Sequence, residues 1–459
     1  MNPNEILSKA EALRGGLSTG FRDEIVKSLY NEAESIAKRA VKTATDKKYD
    51  LDQRIDRLVT SPIVGLPIML GLLAIIIWLT VSGANVVSAM IANILFSIGD
   101  WGNALFKSLN VPWWITGFIW DGVYRGLAWV VSVMLPPMMI FFPAFTILED
   151  LGYLPRVAFN LDWLYRKAGA HGKQSLTMAM GFGCNAAGVV ATRIIDSPRE
   201  RLIAILTNNF VPCNGRFPTL IMLATVFVAA SFPPALTSII AASTVVGVVL
   251  IGIFFTLLMS WLLSKTMLKG EASAFTLELP PYRRPNIGRI LYTSLLDRTI
   301  FVLWRAMQTA APAGAIIWVL ANIPFGDTNL AHAIADWLNP FGLLLGLDGV
   351  IILAYIIAIP ANEIVVPTMM MIYMGAGMMI DPGPEKYLAI FSGNGWTMLT
   401  AVNLMLFALL HNPCATTIMT IYKETKSVKW ATVSVVITLG TAILVTFLTA
   451  SIARILGWA

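Results

Sequence analysis

The sequence predicts an all-α polytopic membrane protein built as an inverted repeat, with discontinuous or re-entrant helices. Three observations carry this expectation. The mean hydropathy is +0.70, and 56% hydrophobic against 13% charged residues over 459 positions leaves room for many apolar windows of about 20 residues, the length that crosses a bilayer. Second, several of these windows are interrupted by Gly, Asn or Pro, and each of the three cysteines sits at such an interruption: Gly181-Phe-Gly-Cys-Asn185, Asn209-Phe-Val-Pro-Cys-Asn-Gly-Arg-Phe-Pro218 and His411-Asn-Pro-Cys414. Lipid cannot satisfy a broken backbone, so breaks at membrane depth must be buried in protein or line a polar cavity. Third, basic and acidic loops alternate along the chain in a way that assigns sides.

The first 60 positions hold 21 of the 60 charged residues, so a polar segment precedes an apolar remainder. It is too long and too charged for a secretory signal. From Arg22 to Thr43, Ile25, Leu29, Ile36, Ala40 and Val41 recur at helical spacing, which predicts one amphipathic helix in need of a partner surface, either the chain's own cytoplasmic loops or a second protein. The net charge of +6 belongs largely to loops and gives no support to nucleic-acid binding. Three cysteines cannot all pair, and free thiols or ligands are expected rather than a disulfide framework.

Full crossings are expected at Ile63–Val81, Phe118–Leu148, Leu202–Ala230, Leu236–Leu263, Ile300–Ile323, Met398–Ile421 and Trp430–Leu456. Ser175–Ile195 and Gly349–Met374 are split near their middles, by Cys184-Asn185 and by Pro360-Ala-Asn-Glu363. Lys47, Lys48, Arg54 and Arg57 place the N-terminus in the cytoplasm. Arg156, Arg166, Lys167 and Lys173, then Arg193, Arg199 and Arg201, lie on either flank of the first split window and put both its ends on that same side. The segment 265–298, with Arg283, Arg284 and Arg289, is cytoplasmic again. Phe325–Gly349, with Asp327, Asp336 and Asp348 and neither Lys nor Arg, reads as an external loop, as does the stretch with Asp381, Glu385 and Lys386; the second split window then enters from outside. Arg454 weakly opposes an external C-terminus.

The result is a span, a hairpin and two spans, repeated with opposite orientation. Sequence echoes support it: Cys184-Asn-Ala-Ala-Gly-Val-Val-Ala-Thr192 against Ala361-Asn-Glu-Ile-Val-Val-Pro-Thr368, and Val211-Pro-Cys-Asn214 against Asn412-Pro-Cys-Ala415. Inverted repeats with broken helices are a transporter plan whose site lies where the breaks meet. The expected organisation is a cytoplasmic amphipathic helical segment (1–60), a first span with an interfacial segment (61–116), a first repeat (117–264), a cytoplasmic linker (265–298) and a second repeat (299–459).

A divalent ion entering the bilayer must exchange its water for protein donors. Cys184, Cys213 and Cys414 offer sulfur; Glu363, Asn185, Asn214 and Asn362 offer oxygen; His411 offers imidazole or a proton path. Cysteine ligates as thiolate, so loading such a site releases protons and its affinity falls in acid. Release favours mixed or sequential sulfur and oxygen coordination over a closed three-thiolate cage. Other readings stand beside this one. The cysteines can be packing residues, Glu363 can pair with Arg216 or Arg305, and His411 can be a hydrogen-bonded core histidine. Glu149 and Asp150 suit interfacial salt bridges better than ligation. Met369, Met370, Met371, Met374, Met378 and Met379 suit packing better than a copper vestibule, and Trp113, Trp114 and Trp120 an interfacial belt.

Gly181-Phe-Gly-Cys-Asn185, Ala191-Thr-Arg193, Arg199–Leu202 and Pro212-Cys-Asn-Gly-Arg-Phe-Pro218 resemble the first gate motif of the bacterial ferrous iron transport protein B (FeoB) family. Leu148-Glu-Asp-Leu-Gly-Tyr153, His171-Gly-Lys173, Glu278-Leu-Pro-Pro-Tyr-Arg283, Pro360-Ala-Asn-Glu-Ile-Val-Val366, Asn412-Pro-Cys-Ala-Thr416 and Trp430 follow in that family's order. The chain departs from the pattern at Ala186-Ala187 (a Pro), Asn362 (a Lys) and His411-Asn412 (Tyr-Thr). The resemblance implies a gate domain of the bacterial inner (plasma) membrane that takes up Fe(II) as substrate and holds no permanent cofactor. Mn(II), Zn(II) or Co(II), a nucleoside-like organic solute, or a non-transporting scaffold role are the alternatives. Relatives usually begin with a GTP-binding domain, whereas this sequence has no Gly-x-x-x-x-Gly-Lys-Ser/Thr phosphate loop. It is therefore expected to be a transporter subunit rather than an enzyme, served by a separate cytoplasmic GTP-binding protein, with membrane lipids around it and homo-oligomerisation left open.

Overall fold

The computed structural model describes residues 21–40, 47–61, 63–270, 282–283, 285–326, 328–380 and 384–457. The end of the amphipathic window (41–43) and motif residues 278–281 lie outside the described residues. Among the described residues strand structure is confined to a two-residue hairpin, Pro324–Phe325 with Thr328–Asn329, and the chain is an all-α polytopic membrane protein.

Two polar helices come first, α1 (Phe21–Ala40) and α2 (Lys47–Val59). Ile25, Leu29 and Ile36 of α1 are exposed. The segment after α2 is tied to the bundle: Asn160 donates to Val59 O (2.7 Å), and buried Arg156 reaches both carboxylate oxygens of Asp56 (3.0 and 3.3 Å) under the ring of Tyr282 (4.1 Å). Burial pushes the Asp56 pKa up, but Arg156 and Tyr282 together outweigh it and hold the carboxyl below its ordinary value.

Helix α3 (Gly65–Ser108) is 44 residues long. The expected Ile63–Val81 crossing is only its first part, and the stretch read as interfacial continues the same helix. At 1.5 Å per residue it is about 66 Å long, more than a bilayer's thickness. It stops where Asn110 takes a left-handed φ of 56°, with Asn110 N–H donating to Lys107 O and Val111 N–H to Phe106 O. This closure satisfies carbonyls that the helix end would leave open, and Pro112 prevents continuation.

Helix α4 (Trp113–Asp150) crosses back, with π-helical turns at Gly117–Tyr124. Then come α5 (Tyr153–Lys167), α6 (Gln174–Gly183), α7 (Asn185–Ala191), α8 (Pro198–Thr207), α9 (Phe217–Val228) and α10 (Pro234–Lys265). In the second half α11 (Ile287–Tyr292) leads through π-helical turns into α12 (Phe301–Asn322). It is followed by α13 (Leu330–Leu344), α14 (Gly349–Ile357), α15 (Val365–Tyr373), α16 (Pro384–Gly393), α17 (Met398–Leu410), α18 (Ala415–Thr425) and α19 (Val428–Ile455). Among the described residues four helical stretches are long and apolar enough to cross a membrane: Trp113–Asp150, Leu236–Lys265, Met398–Thr425 (α17 and α18 together) and Val428–Ile455. A fifth arises if α13 and α14, bent by 109°, form one span.

Two expectations need correction. Leu202–Ala230 is not one continuous helix, because the helix stops at Thr207 and resumes at Phe217. Pro212 lacks an N–H and its ring pushes Val211 (φ −85°, ψ 127°) to extended backbone. Phe325–Gly349 is not a plain loop. Asn329 caps α13 by accepting from His332 N–H (2.9 Å), and Ala331 and Ala335 are buried on its inner face. The Met run behaves as packing: Met369, Met370, Met371 and Met379 are buried in the main apolar core. Asp150 accepts from Asn286 N–H (3.2 Å).

Candidate functional site

Four interrupted helices bring the candidate residues together. At the first interruption α6 ends at Gly183, Cys184 is extended (φ −156°, ψ 125°), and α7 starts at Asn185. The chain folds back here. A Cβ on Gly188 would lie 2.9 Å from Thr177 O, although 11 residues of straight helix would separate these positions by about 16 Å. The hairpin has a polar filling. Asn208 donates to Asn185 O (3.2 Å), and the Asn185 amide donates to Gly181 O and Val211 O (3.2 Å each). Gly181 and Gly188 make room for Asn208, whose amide lies 3.0 and 2.6 Å from where their Cβ atoms would stand.

The second interruption runs from Asn208 to Arg216. Cys213 O accepts from Arg216 N–H (2.9 Å), restarting the helix, and the Asn214 side chain donates to Met134 O (3.4 Å). The two interruptions are joined by Asn214 N–H to Gly183 O (3.3 Å).

The third lies between α14 and α15, where Ala361 is extended (φ −151°, ψ 112°) and Asn362–Ile364 form one 3₁₀ turn. Glu363 O accepts from Trp129 Nε1 (3.2 Å). Its carboxylate lies against Gly215, where a Cβ would sit 2.2 Å from Oε1. The fourth is His411–Cys414 between α17 and α18. It is joined to the third by Ala415 N–H to Ile359 O (2.9 Å), the counterpart of the link in the first half.

His411 matches the core-histidine reading. Nδ1 lies 3.0 Å from both Phe407 O and Ala408 O, so that nitrogen carries the proton. The ring meets Tyr355 edge-on (centroids 4.7 Å) and stacks on Phe407 (5.7 Å); Nε2 is 3.5 Å from the Asn362 amide oxygen. Arg216 does not pair with Glu363; its guanidinium donates to main-chain carbonyls of Asn209, Leu409, His411 and Asn412. The Arg305 guanidinium reaches Thr420 Oγ1 (3.3 Å).

Cys184, Cys213 and Cys414 are half-buried free thiols that lie within electrostatic range of one another, with Glu363 within range of Cys213 and Cys414. Cys414 Sγ is 3.4 Å from Thr417 Oγ1. Among the described residues no three His, Cys, Asp or Glu side chains close around a point that could hold an ion. The arrangement is thus an open gathering rather than a finished cage. Beside it is a cavity of about 530 Å³, lined by Phe96, Trp129, Phe141, Phe217 and Tyr387, by Ser88, Ser132 and Thr225, and by Asn214 and Glu363. The thiols are not in its wall. Asn214 and Glu363 are the two candidate donors that the chamber wall presents.

Sequence reasoning missed the amide network of Asn208 and Asn209, buried side chains in a window read as a plain crossing. Two adjacent asparagines inside an apolar run, just before Val-Pro-Cys, were the available signal.

Comparison with known proteins agrees. A family model for nucleoside recognition (Gate) matches residues 131–227 and 303–428, and one for the ferrous iron transport protein B C terminus matches 245–297. Together they cover more than half of the chain. The Fe(2+) transporter FeoB of Staphylococcus aureus is 27% identical over 462 residues, 97% of this chain and 66% of the relative. That of Campylobacter jejuni is 29% identical over 432 residues, 90% and 68%. A Porphyromonas gingivalis Fe(2+) transport protein A/Fe(2+) transporter FeoB fusion protein is 27% identical over 483 residues, 95% of this chain and 54% of the relative. The chain spans about two thirds of the length of the curated relatives it matches most extensively, and no solved structure matches. With gate motifs, C-terminal segment and relatives all in register, the chain belongs to the FeoB-type ferrous iron transport protein B family.

Proposed function

We propose that this chain carries a divalent metal cation, Fe(II) foremost, across the bacterial inner membrane and into the cytoplasm. The observation that carries the reading is the meeting of four helix interruptions, linked in pairs by Asn214 N–H to Gly183 O and Ala415 N–H to Ile359 O, with three thiols and Glu363 gathered around them. The curated relatives' names as Fe(2+) transporters support it. Fe(II) is borderline in softness and accepts both oxygen and sulfur. A hydrated ion in the chamber exchanges water for Glu363 and Asn214, then for Cys213, Cys184 and Cys414 in turn. Asn185, Asn362 and His411 hold the backbone around the path. An open, sequential donor set lets go, as transport requires.

Two matches to one Gate model support reading 117–264 and 299–459 as two gate repeats joined by the linker 265–298; their opposite orientation rests on the alternation of basic and acidic loops. The N-terminal segment, with basic residues before α3, is placed in the cytoplasm, where a separate GTP-binding protein would act on it. A second reading has one observation in its favour: the chamber is large for a bare ion and mostly aromatic and apolar, which suits a nucleoside-sized organic solute. Proteoliposomes containing the chain alone decide between them, assayed for Fe(II), Mn(II), Zn(II), Co(II) and nucleoside uptake. Fe(II) uptake that is lost in a C184S/C213S/C414S variant is expected. Nucleoside uptake untouched by that triple replacement would overturn the metal reading.

A further inference from the structure

Arg216 is 1% exposed at the meeting point of the four interruptions, and among the described residues no carboxylate neutralises it. Its partners are main-chain oxygens. Nη1 donates to Asn209 O (2.9 Å) and Leu409 O (2.7 Å), and Nη2 to His411 O (2.9 Å) and Asn412 O (3.4 Å), while Nε has no partner. One oxygen comes from the first half of the molecule and three from the second. Leu409 and His411 bracket the C-terminal end of α17, where the helix dipole is negative.

Carbonyls of unwound backbone together with the C-terminal end of a half-helix are the donor set with which broken-helix transporters coordinate a coupling cation such as sodium. Such oxygens carry no formal charge, and they suit a monovalent cation that is held without being neutralised. Here the set is complete, and a side chain fills it. A buried guanidinium hydrogen-bonded only to neutral carbonyls, with the Cys213 and Cys414 thiols and Tyr355 as its other electrostatic neighbours, is costly to desolvate, so its place is hard to explain as packing. A planar fork that bonds both halves at once is what Arg supplies and Lys does not.

We propose that this carbonyl cage is a monovalent-cation site whose cation is built into the chain. Arg216 stands as a tethered counter-cation, locks the Asn209 and Leu409–Asn412 backbones to each other, and removes the need for sodium or potassium at this position. The inference concerns cation binding and goes beyond the transport reading, so it holds or fails whatever the cargo is.

The test uses the purified full chain and the thermal midpoint as readout, with wild type, R216A, R216K and R216Q each titrated with guanidinium, potassium, sodium and choline chlorides at matched ionic strength. Emptying the cage by R216A should create a ligand site. Its midpoint should be lowered and then recover saturably, by several degrees, with guanidinium or an alkali cation but not with choline; the wild type should show no such recovery. Binding to the folded state alone predicts this saturation. A folded R216A that no cation stabilises selectively would overturn the proposal. If R216A does not fold, R216K against R216Q decides: both lose the fork, so a midpoint lowered distinctly less by Lys than by Gln supports a required charge, and equal or reversed behaviour overturns it.

Discussion

The interruptions of the first half, around Cys184 and Cys213, are bedded in amides: Asn185, Asn208 and Asn214 fill the space between short helices and donate to main-chain carbonyls, and Asn209 donates to Ser434 Oγ. Those of the second half, around Glu363 and Cys414, are bedded in rings. Tyr355 and Phe407 pack on His411, and Trp129, reaching across from α4, holds Glu363 O. The backbone device is the same in both, one interruption bonded to the next through a single main-chain hydrogen bond. The donors differ, with two thiols in the first half against one thiol and one carboxylate in the second. Backbone satisfaction is therefore a shared requirement, and the side chains at the tips are free to differ in chemistry between the halves.

The largest expected effect comes from forcing the halves apart at their contact. G215A puts a Cβ 2.2 Å from Glu363 Oε1 and must push the carboxylate off its place. Because that group ends a flexible side chain, the thermal midpoint should hold while Fe(II) uptake falls about 100-fold, the scale of a misplaced functional group. Unchanged uptake would mean that the position of Glu363 is immaterial. E363Q keeps the shape and removes the charge; a loss of roughly tenfold in uptake is expected, matching a charged contact worth about 1.5 kcal/mol. Full activity in E363Q would take the hard donor out of the comparison.

Stability probes should separate frame from ligand. G188A crowds the Asn208 amide (2.6 Å) and Thr177 O (2.9 Å), and overpacking there should cost about 1–3 kcal/mol in unfolding measurements. Uptake per folded molecule should change less than in G215A. The smallest effect belongs to the pair between the halves, Arg193 with Glu424 (2.7 and 2.9 Å). Arg193 is 66% exposed, so R193A should barely move the thermal midpoint, and still less in high salt. A greater loss would show that this contact, and not the buried carbonyl links, holds the halves in register.

Much of this was legible in advance. Gly, Asn and Pro inside apolar runs have few physical meanings, and the interruptions at Cys184, Pro360–Glu363 and His411–Cys414 fall where the sequence placed them. The pairing of those interruptions was not legible, because main-chain bonds such as Ala415 N–H to Ile359 O carry no side-chain signature. The 44-residue α3 was hidden as well. Its second part, with Asn85, Ser88, Asn93 and Asp100, loses hydropathy while keeping helical continuity, since it packs on α4 rather than facing lipid throughout. Acidic residues likewise disguised α13 as a loop, although Asn329 and the small residues Ala331 and Ala335 were sufficient to start and bury a helix.

The sequence by itself determined a membrane protein of interrupted helices with sulfur at the interruptions, because hydropathy and the backbone limits of Pro and Gly act locally and can be read locally. Tertiary structure alone decided that Arg216 would donate to carbonyls rather than pair with Glu363, that Asn214 and Glu363 would line a chamber whose wall holds none of the thiols, and that Gly215 would give the carboxylate its space. Each of these depends on which distant segments share a buried volume, and in a low-dielectric interior that neighbourhood decides what a charge or a lone pair must do.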